Sequence, residues 1–227
     1  SRVESYIGAN GGPVVVQSNN GAKIIASLLQ YRRPGSSGPW IGITQTMALT
    51  DAQISDVYVF PHYDFTDLTR YNSIQLANFD AIDTVITVKI GGVVKGTYPM
   101  TAGSSQNVYF LHESGGPVVV SSSNGAKIIA TLYEMKRDEL GVPWTGQTTM
   151  MGVPWSKLSD TYIYPRYNYT LQDTAPYMIF ANAEESISTT ITVTIGGVLK
   201  GTYPMLSGES RVESYIGANG GPVVVQS

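Results

Sequence analysis

The sequence predicts an all-β protein in which two tandem immunoglobulin-like β-sandwich modules are followed by a duplicated terminal strand segment. Three features indicate this fold class: short runs in which apolar and polar residues alternate, glycine-containing turns between those runs, and an internal repeat. Alternation with a period of two places successive side chains on opposite faces of a strand. A helical fold is excluded, because no window sustains an apolar period of about 3.6 residues.

The internal repeat sets the predicted domain organisation. Gly11–Val16 recurs unchanged at Gly115–Val120, which is 104 residues further along the chain. Other stretches match at the same or a similar offset, so the chain consists of two diverged copies of one module. Short strands with frequent turns in a module of this length are typical of a two-sheet sandwich. We therefore predict one module at residues 1–105 and a second at residues 106–209.

The two ends of the chain carry the same sequence. Residues 1–18 recur without a change at residues 210–227, two module lengths further on. Because the neighbouring modules have diverged, this identity indicates a recently duplicated two-module unit, an engineered overlap, or one unit of a periodic polymer. Under each explanation the chain is a length of something longer, and residues 210–227 are the first strand segment of a further module.

Eight strands are predicted in each module, and the first four in module one lie around an Asn-Gly turn. Arg2–Gly8 opens the module by the alternation and turn rules. Val14–Ser18 and Ala22–Arg32 follow; the first, and the second as far as Leu29, are apolar on two sides, as expected of strands with neighbours on both faces. Ile41–Ala48 ends this half by the same rules as the first strand.

The second half of module one contains the strongest alternation. Asp56–Tyr63 and Ser73–Phe79 come first, followed by Thr84–Ile90, in which isoleucine and valine alternate with a more polar face. Val93–Tyr98 is the last predicted strand. Four dipeptides between strands predict type I′ hairpin turns, in which both central residues need positive φ: Asn20-Gly21, Gly91-Gly92, Asn124-Gly125 and Gly196-Gly197.

The composition excludes several classes of function. Charged residues make up 14% of the 227-residue chain, whereas about 25% is usual. A net charge of −3 without basic runs argues against nucleic acid as a partner. The chain has no cysteine, which excludes disulfides and zinc–thiolate sites. No apolar stretch reaches the ~18 residues of a membrane span, and no cofactor is predicted.

The two module copies serve as an internal control on catalysis. His62 aligns with Arg166, and His112 has no histidine counterpart. A Ser-His-Asp device in each module is therefore excluded, and we predict that the protein is not an enzyme and binds no metal. We interpret a set of loop acids as solvated carboxylates, since their spacing matches no EF-hand: Asp64, Asp67, Asp80 and Asp83.

Two covalent modifications are compatible with the sequence. Asn168 begins the one sequon for N-linked glycosylation. A Lys–Asn isopeptide cross-link assisted by an acid could form in either module, from residues that both copies keep: Lys23, Asn78 and Asp56, and their counterparts Lys127, Asn182 and Asp160. We favour the alternative that these are ordinary residues at strand ends and in turns.

Several motifs recur in both modules. They are Phe60-Pro61-His62-Tyr63 and Tyr164-Pro165-Arg166-Tyr167, Ala77-Asn78 and Ala181-Asn182, and the runs IGGV-x-KGTY and GGPVVV-x-S-x-NG-x-K. With these motifs the chain resembles, over essentially all of both modules, the tandem β-sandwich repeats of large secreted or cell-surface proteins in filamentous bacteria. The resemblance implies an extracellular stalk, fibre or sheath component, and it brings no catalytic residues.

We predict a structural repeat of an extracellular fibre or surface array, in which identical copies associate end to end by terminal strand exchange. An unpaired strand edge is a template for strand addition. The exchanged segments are predicted to contain Arg2, Val3, Tyr6, Val14, Val15, Val16, Arg211, Val212, Tyr215, Val223, Val224 and Val225. The alternative is an adhesin or carbohydrate-binding module, in which a tyrosine-rich face that includes Tyr58 and Phe60 binds glycans.

Overall fold

The computed structural model describes residues 2–33, 42–170 and 175–227. Within these ranges the chain forms 21 strands, with 3₁₀ turns at Asp51–Gln53 and Trp155–Lys157, and the strand pairs are antiparallel. The predicted all-β sandwich class is confirmed. No helix in the described ranges is long and apolar enough to cross a membrane. Ile41, the first residue of a predicted strand, lies outside them.

The N-terminal hairpin consists of β1 (Ser27–Arg32) and β2 (Gly42–Met47), which pair with each other. Residues 2–26 form no strand, although the sequence predicts strands at Arg2–Gly8 and Val14–Ser18. An isolated strand is not stable without hydrogen-bonded neighbours, and no strand of the described chain pairs with these residues. For the same reason the predicted strand Ala22–Arg32 is shortened to β1.

The complete sandwich follows the hairpin and is built from two facing sheets. Its strands are β3 (Val57–Phe60), β4 (Tyr63–Phe65), β5 (Arg70–Asn78), β6 (Thr84–Ile90), β7 (Val93–Met100), β8 (Ser105–Val108), β9 (Glu113–Gly115), β10 (Val118–Ser122), β11 (Ile128–Lys136), β12 (Gly146–Met151) and β13 (Val153–Pro154). One sheet has the order β13-β3-β10-β6-β7 and the other the order β12-β11-β5-β8. In addition, β4 and β9 form a separate two-stranded antiparallel sheet.

The core of the complete sandwich lies between these two sheets and draws side chains from both. Its largest fully buried members include Tyr58, Phe60, Tyr63, Ile74, Leu76, Ile86, Ile128 and Leu132. Complete burial of one such apolar side chain contributes about 1.5–3 kcal/mol. Strand alternation explains the pattern, because Tyr58 and Phe60 of β3 point to the same face, toward β5 and β11.

The complete sandwich crosses the boundary of the sequence repeat. β3 to β7 lie within residues 1–105, β9 to β13 lie within residues 106–209, and β8 spans the boundary. β10 is inserted between β3 and β6, and β11 pairs with β5 along nine residues. One sandwich is therefore assembled from the later part of one repeat and the earlier part of the next. The predicted limits mark the repeat and differ from the limits of the sandwich.

The C-terminal sandwich repeats most of this arrangement. Its strands are β14 (Thr161–Tyr164), β15 (Tyr167–Asn168), β16 (Met178–Ala181), β17 (Thr189–Ile195), β18 (Val198–Met205), β19 (Ser210–Glu213), β20 (Asn219–Gly220) and β21 (Val223–Gln226). The sheet order β14-β21-β17-β18 matches β3-β10-β6-β7, and the pair β16-β19 matches β5-β8. Within the described residues, this sandwich has no strands in the positions of β11, β12 and β13.

Two of the four predicted type I′ turns are confirmed. Gly91 and Gly92 have φ values of +57° and +79° and connect β6 to β7. Gly196 and Gly197 repeat this geometry between β17 and β18, with φ values of +60° and +77°. These are the turns in which positive φ is required at both central positions, which explains the paired glycines.

The predicted hairpin at Asn124-Gly125 is wrong. β10 and β11 flank this turn but lie in different sheets, so the turn is a crossover. Asn124 fixes it to the start of β6, since its Oδ1 accepts a hydrogen bond from Thr84 Oγ1 at 2.6 Å and its Nδ2 donates to the Asp83 carbonyl at 3.0 Å. The equivalent turn, Asn20-Gly21, likewise joins no strand pair.

Replacement of Gly92 by valine is expected to destabilise the complete sandwich by about 1–2 kcal/mol, because a side chain with a Cβ resists positive φ. No atom lies within 4 Å of the position that a Cβ would take, so the expected loss comes from backbone conformation alone. Urea unfolding of the full chain measures it. Gly146→Val is the control, since Gly146 has equally open surroundings without positive φ. Equal losses in the two variants would contradict this explanation.

Candidate functional site

The candidate functional site has two parts, one at each end of the chain. The first is the unpaired edge and open core of the C-terminal sandwich, and the second is the N-terminal hairpin with the residues just before it. The repeat relates them, because residues 24–32 correspond to β11 and residues 42–47 correspond to β12. These are the strands for which the C-terminal sandwich has no counterpart among the described residues.

The core of the C-terminal sandwich is open on the side where β11 would lie. Tyr162 and Tyr164 are 37% and 44% exposed, whereas their counterparts Tyr58 and Phe60 are completely buried. The local backbone is the same in both copies, since the Tyr162 hydroxyl accepts a hydrogen bond from Ser159 N at 3.2 Å, as Tyr58 does from Ser55 N at 3.0 Å. The difference in exposure therefore comes from the strands that cover the core.

The N-terminal hairpin region shows the complementary defect. Ile24 and Leu28 are 54% and 57% exposed, whereas their counterparts Ile128 and Leu132 are at most 1% exposed in the complete sandwich. In both copies the backbone N–H after the second strand bonds back to the first, from Ala48 N to Ala26 O at 3.1 Å and from Gly152 N to Ala130 O at 3.0 Å. The hairpin is thus preformed and lacks the sheet against which its counterpart packs.

The open edge belongs to β16. In the complete sandwich, β5 pairs with β8 on one side and with β11 on the other. β16 pairs with β19, and the described residues provide no strand for its second edge. Unpaired backbone N–H and C=O groups on a strand edge are a site for strand addition.

The two copies of the duplicated segment adopt different structures, which divides the predicted exchange residues into two groups. The N-terminal copy lies exposed outside any strand, and it includes Arg2, Val3, Tyr6, Val14, Val15 and Val16. The C-terminal copy is paired within the chain: Arg211 and Val212 lie in β19 and pair with β16, and β21 is hydrogen-bonded to both β14 and β17. β21 holds Val223, Val224 and Val225.

Tyr215 belongs to the paired copy and closes the end of the C-terminal sandwich. Its hydroxyl lies 3.0 Å from the Tyr203 hydroxyl, and its ring meets that of Tyr167 edge-on with centroids 5.7 Å apart. Burial raises the pKa of the Tyr215 phenol, and the hydrogen bond with Tyr203 raises it further. The side chain is therefore neutral at physiological pH and serves in packing.

The candidate isopeptide residues do not meet. Asn78 is buried, and its Nδ2 donates to the carbonyls of Ile82 at 2.8 Å and Met100 at 3.3 Å. The Lys127 ammonium instead points to Asp51 at 3.8 Å, on the surface. Asn182 repeats the Asn78 pattern, with Nδ2 donating to the carbonyls of residues 187 and 206. Both asparagines act as local braces of the loop before the next strand.

The remaining isopeptide residues lie at the surface or bond through the backbone. The Asp56 carbonyl accepts from Ser122 N at 2.9 Å, and the Asp160 carbonyl accepts from Ser227 N at 2.9 Å. Lys23 is exposed in the segment before β1. Asn168, the sequon residue, lies in β15, where its Oδ1 accepts from Thr170 Oγ1 at 2.7 Å.

The tyrosine-rich face does not form a sugar platform on the complete sandwich. Tyr58 and Phe60 do share one face, as predicted, but that face is the core. Tyr63 is also buried, and its hydroxyl donates to the Asn72 carbonyl and accepts from Phe110 N, both at 2.8 Å. Tyr167 makes the equivalent pair of bonds in the C-terminal sandwich. These aromatic residues are structural.

The carboxylates of the loop acids accept hydrogen bonds or form an ion pair within the sandwich. Asp64 pairs with Arg70, Asp67 accepts from the Thr69 N–H and hydroxyl, and Asp80 accepts from Lys127 N at 3.0 Å. Asp83 accepts from the N–H of residue 102 at 2.9 Å. Over the described ranges, no group of three or more His, Asp or Glu residues has the arrangement of a metal site.

His62 lies at the junction between the two sandwiches. Its Nδ1 is 3.0 Å from Ser210 Oγ of β19. A second contact between the two sandwiches is the ion pair of Lys89 with Glu185 at 2.8 Å. Burial lowers the pKa of His62 below its ordinary value of 6.5, while Asp64 opposes this change. The neutral imidazole is therefore the form that fits the junction.

The free energy of unfolding is expected to decrease below about pH 6.5 through His62. Its lowered pKa means that the unfolded chain takes up the proton first as the pH falls, so this contribution is lost between about pH 6.5 and the folded pKa. Urea midpoints at about pH 7.5 and about pH 5 measure the loss. His62→Gln can still bond Ser210 but does not titrate, so it should lose less than the parent chain, and equal losses would refute the assignment.

Comparison with known proteins identifies no family. No family model matches the chain, and none of the curated proteins matches it. Two crystal structures of a GH2 β-galacturonidase from Eisenbergiella tayi, bound to galacturonate and to glycerol, align with 88% of the chain at 11% identity. The TM-scores are 0.21 and 0.20, and the chain spans 37% of the length of those enzymes. Scores this low carry no argument about activity.

The predicted exchange residues stay a prediction, and the candidate site includes further residues that the sequence prediction did not include. The sequence prediction places the exchange in the duplicated segment, and the candidate site adds exposed apolar residues outside that segment, at Ile24, Leu28, Tyr162 and Tyr164. One signal was present, because residues 22–29 are apolar on both sides. Such a run needs a covering layer on each face, and that need identifies it as the strand that requires a partner.

Proposed function

We propose that this chain is a structural repeat unit of an extracellular fibre or surface array, in which identical copies associate end to end. The observation that carries the proposal is the division of a sandwich between two repeats: β3 to β7 come from one repeat and β9 to β13 from the next. A polymer built in this way is continuous, because each sandwich locks two neighbouring repeats together.

The two ends of this chain carry matching parts of one sandwich. The C-terminal sandwich has the unpaired edge of β16 and the half-exposed rings of Tyr162 and Tyr164 on β14. The N-terminal hairpin region has the exposed side chains of Ile24 and Leu28. These four side chains are already about half buried, so completing their burial would contribute about half of the 1.5–3 kcal/mol for full burial of each. Association of two molecules costs roughly 4–15 kcal/mol in lost freedom of motion. The two quantities are comparable, so assembly of separate chains is expected to depend on concentration.

The polar groups that both repeats keep support a mechanical role. Asn78 and Asn182 form equivalent hydrogen bonds to loop carbonyls in the two sandwiches. The hydroxyls of Tyr63 and Tyr167 likewise donate to equivalent backbone carbonyls. The hydrogen bonds of these side chains all stabilise the fold itself. The resemblance to tandem repeats of secreted and cell-surface proteins in filamentous bacteria supports an extracellular location and a stalk, fibre or sheath as the assembled form.

Negative-stain electron microscopy of the purified chain tests this function. Concentrated protein should form filaments whose axial repeat corresponds to two sandwiches, and dilution should shorten them. A glycan array run on the same protein tests the adhesin alternative. Uniform monomers at high concentration, together with specific glycan binding, would overturn the fibre proposal.

A further inference from the structure

We infer that the element exchanged between copies consists of residues 24–32 and 42–47, the two strands of the N-terminal hairpin with the three residues before them, and that it binds the open edge of β16 in a second copy of this chain. The inference rests on the fibre function proposed above and specifies its partner, register and contact residues. The duplicated segment, residues 1–18, is not the exchanged element.

The duplicated segment is excluded because its position in the C-terminal sandwich is already filled. β21, which has the sequence of residues 14–17, is hydrogen-bonded to β14 on one side and to β17 on the other. Its central residues Val223 and Val225 are buried in the core. A second copy of the same segment could enter only by displacing an identical strand, which yields no new contacts.

The edge of β16, in contrast, has a defined occupant in the complete sandwich. There β11 pairs with β5 in antiparallel register, with Ile128 opposite Asn78 and Leu132 opposite Ile74. The repeat offset of 104 residues carries this register over to the two chain ends. It places Ile24 opposite Asn182 and Leu28 opposite Met178.

The side chains at these positions match the place that they would fill. Ile24 occupies the repeat position of Ile128, with the same residue type, and Leu28 that of Leu132. Asn182 and Met178 are already buried on the β16 side, as Asn78 and Ile74 are in the complete sandwich. The half-exposed rings of Tyr162 and Tyr164 lie on β14, which is the counterpart of β3. In the complete sandwich, β3 packs against β11.

A hydrogen bond beside the ladder has its counterpart as well. In the complete sandwich, the backbone N–H of Lys127 donates to Asp80 Oδ2 at 3.0 Å beside the β5–β11 ladder. Lys23 takes the position of Lys127, and Glu184 takes that of Asp80. The joined copies therefore place the backbone N–H of residue 23 beside an acid at the start of the exchanged strand.

In its present place the hairpin lies beside the complete sandwich, where β2 runs along β12. The Arg32 guanidinium lies 2.6 Å from Met135 Sδ, and Gln147 Nε2 donates to the Gln30 carbonyl at 3.1 Å. These two polar contacts involve the second half of β1, whereas Leu28 lies in its first half and Ile24 before it. The end of the hairpin with the exposed apolar residues is the end that the inferred register places on Asn182 and Met178.

Disulfide trapping tests the inferred register, because the chain has no cysteine of its own. Ile25 and Ala181 would lie opposite each other with outward-facing side chains, as Ile129 and Ala77 do in the complete sandwich. The double variant Ile25→Cys with Ala181→Cys should form covalent oligomers on oxidation, seen as a ladder on a non-reducing gel. The pair Ile129→Cys with Ala77→Cys is the positive control and should give a disulfide within one chain.

The register control is the double variant Ile25→Cys with Ile179→Cys, in which the second cysteine is two residues away from the inferred partner position. It should form at least tenfold less covalent oligomer than the Ile25→Cys, Ala181→Cys variant. A ladder from the shifted pair, or none from the Ala181 pair while the parent chain still forms filaments, would overturn this inference and leave the fibre function standing. A disulfide within one monomer from the Ala181 pair, or loss of filaments in the parent chain, would overturn both.

Truncation gives an independent readout. Deletion of residues 1–18 should leave filament formation within about twofold of the full chain, because β21 supplies that strand. Deletion of residues 1–47 should abolish filaments while circular dichroism still reports a folded β protein. Filaments lost with the first deletion, or retained with the second, would overturn the inference.

Discussion

Replacement of Gly116 by alanine is expected to destabilise the complete sandwich severely, by about 3 kcal/mol or more. A Cβ at this position would overlap the carbonyl oxygen of Pro61 and lie 2.9 Å from His62 Cα. Both are backbone atoms that cannot rotate away, so the strand entering β10 would have to move. Overpacking of a well-filled site costs about 1–3 kcal/mol and sometimes more. The measurement is the free energy of unfolding in urea.

The repeat supplies a matched control for this change. Gly12 has the same neighbours in sequence, but the nearest atoms to its added Cβ are those of Ser105, at an ordinary contact distance of 3.5 Å. Gly12→Ala should change stability by no more than about 0.5 kcal/mol. Gly221→Ala should behave like Gly116→Ala, since its Cβ would overlap the Pro165 carbonyl. Similar small effects at all three positions would contradict the packing described for β10 and β21.

Replacement of Leu132 by alanine is expected to cost about 2–5 kcal/mol, the usual loss for a buried leucine. Leu132 lies in β11 and belongs to the core between the two sheets. Leu28 occupies the same repeat position and is more than half exposed. In dilute solution Leu28→Ala should therefore change the free energy of unfolding by less than about 0.5 kcal/mol.

The same pair of variants separates stability from assembly. At concentrations that support filaments, Leu28→Ala should weaken association although it leaves the monomer stable. Leu132→Ala should lower the unfolding midpoint at every concentration. If Leu28→Ala and Leu132→Ala destabilised the dilute monomer equally, the hairpin would already be buried within a single chain.

The parts of the fold that could be predicted from sequence are those with local partners. The predicted strand Thr84–Ile90 has the same bounds as β6, because its alternation is regular and its neighbour β7 follows a two-glycine turn. The hairpin predicted at Asn124-Gly125 is wrong because the flanking strands pair with strands far away in sequence, β10 with β3 and β6, and β11 with β5. A turn motif alone does not distinguish a hairpin from a crossover.

The candidate site could not be derived from sequence, and the duplicated segment shows why. Val14–Val16 is exposed outside any strand, whereas the identical Val223–Val225 lies in the centre of a sheet. Identical residues adopt different structures because strand formation depends on the neighbours that are present. The same reasoning applies to Ile24 and Ile128, whose exposure differs although both copies keep the residue.

The central claim is that the N-terminal hairpin region of one copy pairs with the C-terminal sandwich of another. Hydrogen exchange at increasing protein concentration tests this claim most directly. We expect amide protection to rise together in residues 24–32 and in residues 178–182, while residues 2–18 stay unprotected. Protection of both segments that is the same at all concentrations would contradict it, and so would protection that appears in residues 2–18 instead.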